Sequence, residues 1–234
     1  MIHARSFYRR LPGIQAYLCW REKRRAKKAW LAWARSPHIA TAKTHFFDLY
    51  TDLDGIALSK KARDQFSLAH PKYIYGEIVF LSFAKILEWS APKPGEVFYD
   101  LGSGTGKAVI TAALLFPFSK TIGIEVLSIL HQASCEQKKK LVPFLPKLNE
   151  VVIFLCADFL TRDLSDAGVI FINATSFLGA IWDNFLEKLP SLSLGTRVIT
   201  VSKKITHDSF NLLYSTRCAM SWGYASIFIY CKIK

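Results

Sequence analysis

The chain predicts an α/β fold: a mostly parallel sheet of seven strands with helices on both faces, an antiparallel C-terminal edge, and a small helical segment in front. Three observations carry this. From about residue 76 onward, short apolar runs rich in Val and Ile alternate with stretches of helical spacing, the pattern of consecutive βαβ units. The last two apolar runs have no helix between them, which implies antiparallel pairing. Hydrophobic residues make up 51% of 234 and charged residues 21%, enough to build one sizeable core rather than a disordered chain.

In chain order, residues 15–36, QAYLCWREKRRAKKAWLAWARS, predict a helix rich in Arg, Lys, Ala and Leu, ended by Ser36-Pro37. Residues 44–68 read as helical pieces and loop around the turn DLDG, forming a cap, and Pro71 follows. Residues 77–89 have helical spacing until Pro92 and Pro94 break the chain. Strands follow at 96–101, 121–126, 151–156, 169–173 and 196–203, with helices at 105–116, 128–142 and 177–189. Two terminal strands, 214–220 and 225–233, share the turn SWGY. This divides the chain into a basic helical arm and cap, 1–70, and an α/β domain, 71–234. No apolar run reaches the roughly 18 residues that span a bilayer.

The net charge of +13 is unevenly placed. Residues 1–45 hold eleven Lys/Arg and one acid, Glu22, so they carry +10 and the rest about +3. A basic arm ahead of a nearly balanced domain points to an anionic partner for the arm. Three readings stay open for it: a solvated helix packed through its tryptophans, phosphate contact with nucleic acid or a nucleosome, and an interfacial helix on a membrane surface. The run 138–140 reads as a solvated helix face. Five cysteines show no CxxC and no metal-ligand spacing, and Cys156 and Cys231 sit in apolar strand runs. Buried thiols in a reducing, intracellular compartment are expected. The expected location is cytoplasmic, with a nuclear address or an acid-free, Arg-containing transit segment at 1–21 as alternatives.

The chemistry is written in DLGSGTGK, residues 100–107. A P-loop would place its first glycine on Leu101 and its magnesium-binding hydroxyl on Ala108, so nucleoside triphosphate hydrolysis is excluded. A dinucleotide fingerprint would put its third glycine on Lys107, where a long side chain obstructs helix packing. What remains is a strand, a tight turn through Gly102, Gly104 and Gly106 around Ser103, and a helix N-terminus able to face a carboxylate. Asp100, at the strand end, can take an amino group. Glu125 ends the next strand, where an acid accepts both ribose hydroxyls. Asp158 ends the third and can accept from an adenine amine, with Phe159 along the ring. An amino acid joined to a nucleoside is S-adenosyl-L-methionine. Each feature alone has a plainer explanation, a tight turn or a solvated acid. Their order at βα spacing indicates a methyl-donor pocket.

On these residues the chain resembles the class I S-adenosylmethionine-dependent methyltransferases, with their Rossmann-like fold. Within them it is most similar to the disruptor-of-telomeric-silencing family, histone lysine methyltransferases without a SET domain. Tyr75-Gly76-Glu77 resembles that family's loop over the methionine end of the cofactor, so Tyr75 and Glu77 join the cofactor-binding set. DLGSGTGK, ADFL and VIFIN resemble its glycine, adenine and fourth-strand motifs. Asn173 matches its asparagine beside the transferring methyl, with Phe228 as the aromatic near the lysine channel. A strand-end cap is the alternative role for Asn173. Lys107 stands where the family usually has glutamine, and Ala174 where it has a second asparagine. The resemblance implies methyl transfer to a protein lysine, with histone as one candidate. Methylation of RNA or a small molecule, and a non-catalytic partner-binding module, are the competing readings. The N-P-P-Y type motif of amino-base methyltransferases is replaced by Asn173-Ala174-Thr175-Ser176.

Overall fold

The computed structural model describes residues 21, 24, 25, 27–65 and 76–234. The chain divides into two compact units, Met1–Thr41 and Ala42–Lys234. In the first, residues 27–34 are helical and Ser36 is a bend. Pro37 then opens helix α1 (Pro37–Tyr50), since its fixed φ suits the first helical position. The rest of the basic arm lies outside the described residues. Helix α2 is Gly55–Gln65. Its Leu58 and Ala62 meet Leu127, Ile129 and Leu130 in a small apolar cluster. The large unit begins at residue 42, and within it the cap helix α2 packs on the α/β domain.

Helix α3 (Phe80–Trp89) buries Phe80, Phe83, Ala84, Ile86 and Leu87, one apolar stripe at helical spacing. The alternation then unfolds as β1 (Val97–Leu101), α4 (Lys107–Leu115), β2 (Lys120–Glu125), α5 (Ser128–Leu141), the short α6 (Leu148–Val151), β3 (Val152–Cys156), β4 (Ala167–Asn173), α7 (Ala180–Lys188), β5 (Arg197–Val201), β6 (Phe210–Met220) and β7 (Gly223–Lys232). The seven strands form one sheet in the order β3-β2-β1-β4-β5-β7-β6. β1 to β5 pair in parallel, and β7 is antiparallel to both β5 and β6. The order reverses between β1 and β4, which opens a crevice at the carboxyl ends of the strands.

Three boundaries depart from the expected ones for local reasons. α7 begins at Ala180, because Gly179 has a positive φ of 55° and interrupts the helical spacing that starts at Phe177. β5 stops at Val201, where Ser202 turns left-handed at φ 67°. Val151 closes α6 before β3 starts. Cys156 is exposed at the carboxyl end of β3 and Cys231 is half-buried, so burial is not common to the described thiols. Among the described residues no helix is long and apolar enough to cross a membrane, and no His, Cys, Asp and Glu cluster could hold a metal ion.

Candidate functional site

Immediately after β1 the chain folds back over the sheet. The amides of Gly102 and Ser103 donate to the Ile124 carbonyl at 2.9 and 3.1 Å, and the Gly106 amide to Ser103 at 2.8 Å. Gly102, Gly104 and Gly106 all have positive φ, of 84°, 54° and 85°, so the turn needs residues without a Cβ penalty. Space demands it as well. A Cβ on Gly106 would lie 2.5 Å from the Phe154 ring, and one on Gly123 only 2.7 Å from the Ser103 hydroxyl.

The β2 end is tied to this turn. Glu125 accepts from the Gly104 amide at 2.8 Å and from the Leu127 amide at 2.9 Å. Burial raises its pKa, against the lowering pull of the Leu127, Gly104 and Val126 amides. Asp100, 4% exposed, is held well above the usual carboxylate range by burial first and by the neighbouring Glu125 charge second. Two acids are thus kept in a desolvated crevice, and among the described residues no cation lowers the pKa of either. Asp158 accepts from the Leu160 amide at 2.9 Å and caps the single turn Phe159–Thr161. Phe159 faces Phe177 across 5.6 Å, and Phe177 reaches to 3.1 Å from where a Gly102 Cβ would stand.

These elements surround one cavity at the carboxyl edge of the sheet. Gly102, Glu125, Asp158, Phe159 and Asn173 line it, five of the residues picked from sequence. The others are placed differently. Gly104 and Gly106 belong to the turn, and Asp100 to the end of β1, without lining the cavity. The Ser103 hydroxyl points at Gly123, not into the cavity. Lys107 and Glu77 bond to each other at 2.5 Å, with side chains 14% and 13% exposed, and Lys107 also sits 5.1 Å over the Tyr50 ring. Neither lines the cavity. Tyr75 lies outside the described residues.

Phe228 needs correction. In the sheet, Asn173 pairs with Val201 and Val201 with Ile227, whereas Phe228 pairs with Thr200. Successive strand side chains alternate faces, so Phe228 points away from Asn173. It packs near Tyr230, with Lys204 5.6 Å over its ring. An aromatic on the Asn173 side is Trp222 of the β6–β7 turn, which reaches Gly76. The Gly76 carbonyl accepts from Asn173 Nδ2 at 3.2 Å. Backbone bonds continue this seam: Glu77 N donates to Ser221 Oγ at 3.1 Å, and Ser221 N to the Glu77 carbonyl at 3.0 Å. Asn173 stands at the N-cap of the turn Ala174–Ser176 without accepting a backbone N–H of it; its Oδ1 accepts from the Thr175 hydroxyl instead.

Sequence reasoning also missed Phe177, Ile181 and Ser59 of the cavity wall. Phe177 was assigned to a helix, and Ser59 comes from α2, where no motif marks it.

The model of the family described as histone methylation protein DOT1 matches residues 65–219. The chain belongs to this family. Among curated DOT1-family relatives, the H3 lysine-79 specific histone-lysine N-methyltransferase of Gibberella zeae is 28% identical over 172 residues, 66% of this chain and 35% of that protein. The one from Candida albicans is 30% identical over 141 residues, 56% of this chain and 10% of that protein. The chain thus spans 35% and 10% of the length of these two relatives. Solved structures show the fold. An RNA methyltransferase from Salinibacter ruber superposes with a TM-score of 0.52 at 21% identity, covering 65% of this chain and 90% of that one. TrmN from Thermus thermophilus gives 0.56 at 20%, covering 70% and 52%. The fold is the Rossmann-like class I methyltransferase fold.

Proposed function

We propose that the chain is an S-adenosyl-L-methionine-dependent methyltransferase acting on a protein lysine, with histone H3 in a nucleosome as the substrate, in keeping with the names its DOT1-family relatives carry. This implies a chromatin location and phosphate contact through the basic arm. One observation carries the donor assignment: a single cavity gathers the ends of β1, β2, β3 and β4 through Gly102, Glu125, Asp158 and Asn173.

The residues present fit the donor on two further counts. Asp100 and Glu125 are buried acids with raised pKa values, and a ligand carrying an ammonium and a sulfonium brings positive charge to them. At Gly102, whose missing Cβ would touch Phe177, the backbone leaves room for close approach. When bound, S-adenosyl-L-methionine supplies a methyl group already activated on a sulfonium carbon. The chain's own contribution is to bind, orient and exclude water. Asp100 accepts from the amino group, Glu125 from the ribose hydroxyls and Asp158 from the base, while Phe159 lies along its ring. Gly76 and Asn173 line the methyl end, with the Trp222 ring packed on Gly76. Desolvation there favours the neutral, nucleophilic form of an entering lysine amine.

Calorimetric titration with S-adenosylhomocysteine tests the site. Wild-type protein is expected to bind, and Glu125→Ala to lose about 1.5–3 kcal/mol, the scale of a hydrogen bond to a charged acceptor. Tritiated donor offered to nucleosomes, free histones and RNA then identifies the acceptor. Absent donor binding by the wild type would overturn the whole assignment; label on RNA alone would overturn the lysine.

A further inference from the structure

At the rim of the cavity a chain of hydroxyls stands behind Asn173. Thr175 Oγ1 is 3.0 Å from Asn173 Oδ1 and 2.9 Å from Ser202 Oγ. Asn173 Nδ2 reaches the Gly76 carbonyl at 3.2 Å. A backbone carbonyl only accepts, so the nitrogen of the amide must face Gly76 and its oxygen must face Thr175. Thr175 has one proton and donates it to that oxygen. Ser202 is therefore the donor to Thr175. Every proton in the relay runs one way: Ser202 to Thr175 to Asn173 to Gly76. Hydrogen bonds aligned in this way strengthen one another.

Ser202 reaches Thr175 from a backbone that L residues adopt rarely, φ 67°. It is anchored there by its amide, which donates to the Ser226 carbonyl of β7 at 2.7 Å. Glycine would serve the turn better. A non-glycine residue held left-handed two hydrogen bonds from the cavity-lining Asn173, with its hydroxyl in a directed relay, marks a functional constraint. The far end of the relay is the 76–78 segment, which also bonds to Ser221 and, through Ile78, to Met220.

We propose that Ser202 and Thr175 are positioning residues for methyl transfer: their hydroxyls hold the Asn173 amide in one orientation, and through it clamp the 76–78 segment over the methyl end of the cavity. The proposal rests on the functional reading above. Its consequence is that the Asn173 carbonyl is committed to Thr175, and the amide shows the transfer site its N–H side.

The test uses the full chain with Ser202→Gly, Thr175→Val and Thr175→Ser. Four quantities are read: thermal midpoint, amide hydrogen exchange at Glu77 and Ile78, S-adenosylhomocysteine affinity, and methyl transfer to reconstituted nucleosomes. Ser202→Gly is expected to raise the midpoint, because the left-handed turn is relieved. It should nevertheless speed exchange at Glu77 and lower turnover about five- to twentyfold, the loss of one or two oriented hydrogen bonds. Donor affinity should stay within about twofold, since the donor's own contacts are untouched. Thr175→Val should behave likewise, and Thr175→Ser should restore exchange and turnover. A merely structural serine gives a different result: a higher midpoint with exchange and turnover unchanged, which overturns the proposal. If the wild type binds donor but leaves nucleosomes unlabelled, exchange at Glu77 still decides. Failure of the functional reading itself shows separately, as no donor binding by the wild type.

Discussion

Asp100 and Glu125 set the pH behaviour of the ligand-free protein. Burial, and for Asp100 also the Glu125 charge, puts both folded-state pKa values above the ordinary ones. The folded state therefore holds protons that the unfolded state has released. Stability from these groups is greatest where they are protonated, and falls as pH rises from about 4 through the raised values. A cationic donor reverses the sign, so its binding should release protons and tighten across the same window. Asp100→Asn removes one titration. Its midpoint should fall less than the wild type's between about pH 4.5 and 8, and parallel profiles would refute the linkage. Lys107 is the other informative residue. Lys107→Met removes the ammonium bound to the half-enclosed Glu77 carboxylate and should cost about 2–3 kcal/mol, somewhat below the range for fully buried pairs. Adding Glu77→Gln should recover most of the loss in denaturant melts. An additive pair of effects would mean that the 2.5 Å contact couples nothing. Neither partner was identified as the other's counter-ion from sequence, since thirty positions separate them.

The glycine turn is an element held from below. Phe154 of β3 stands beside Gly123 of β2 in register, and its ring also fills the space under Gly106. The turn, β2 and β3 thus share a single close-packed spot. Gly123→Ala should destabilise by about 1–3 kcal/mol, the usual cost of overpacking, and weaken S-adenosylhomocysteine binding as the turn lifts. Unchanged affinity in calorimetry would show that the turn tolerates displacement. The elements themselves were largely legible, because β-branched runs bounded by turn residues leave few alternatives. Their ends were not. β5 stops at a serine with φ 67° and α7 waits for Gly179; the first of these is decided by bonds to β7 and Thr175 that no local window contains.

For the molecule as a whole, charge is divided sharply. Residues 1–36 hold ten of the Lys/Arg and a single acid. Deleting them, while keeping α1 and its Tyr50 bond to the Thr105 carbonyl, should leave donor affinity intact and weaken binding to DNA or nucleosomes. Wild-type binding should fall steeply with salt, with a log–log slope near −4 to −5 if about five phosphates are neutralised. Equal binding and equal slopes in both proteins would remove nucleic acid as the arm's partner. Binding to anionic vesicles that survives moderate salt would point to a membrane surface instead.

The sequence by itself determined the sheet with its antiparallel end, the strand-end residues that line the cavity, and the uneven placement of charge along the chain. Period, turn chemistry and charge are local properties, and each is written in a short window. Only the tertiary structure decided which face of the sheet each aromatic takes, because strand register puts Phe228 on the face away from Asn173 and the β6–β7 turn brings Trp222 to Gly76. It also decided that Lys107 answers Glu77, that α2 shares the domain's core, and that Ser202 and Thr175 stand behind the amide of Asn173. Those facts depend on residues far apart in the chain meeting at one edge of the sheet, and pairwise proximity of that kind arises only from folding.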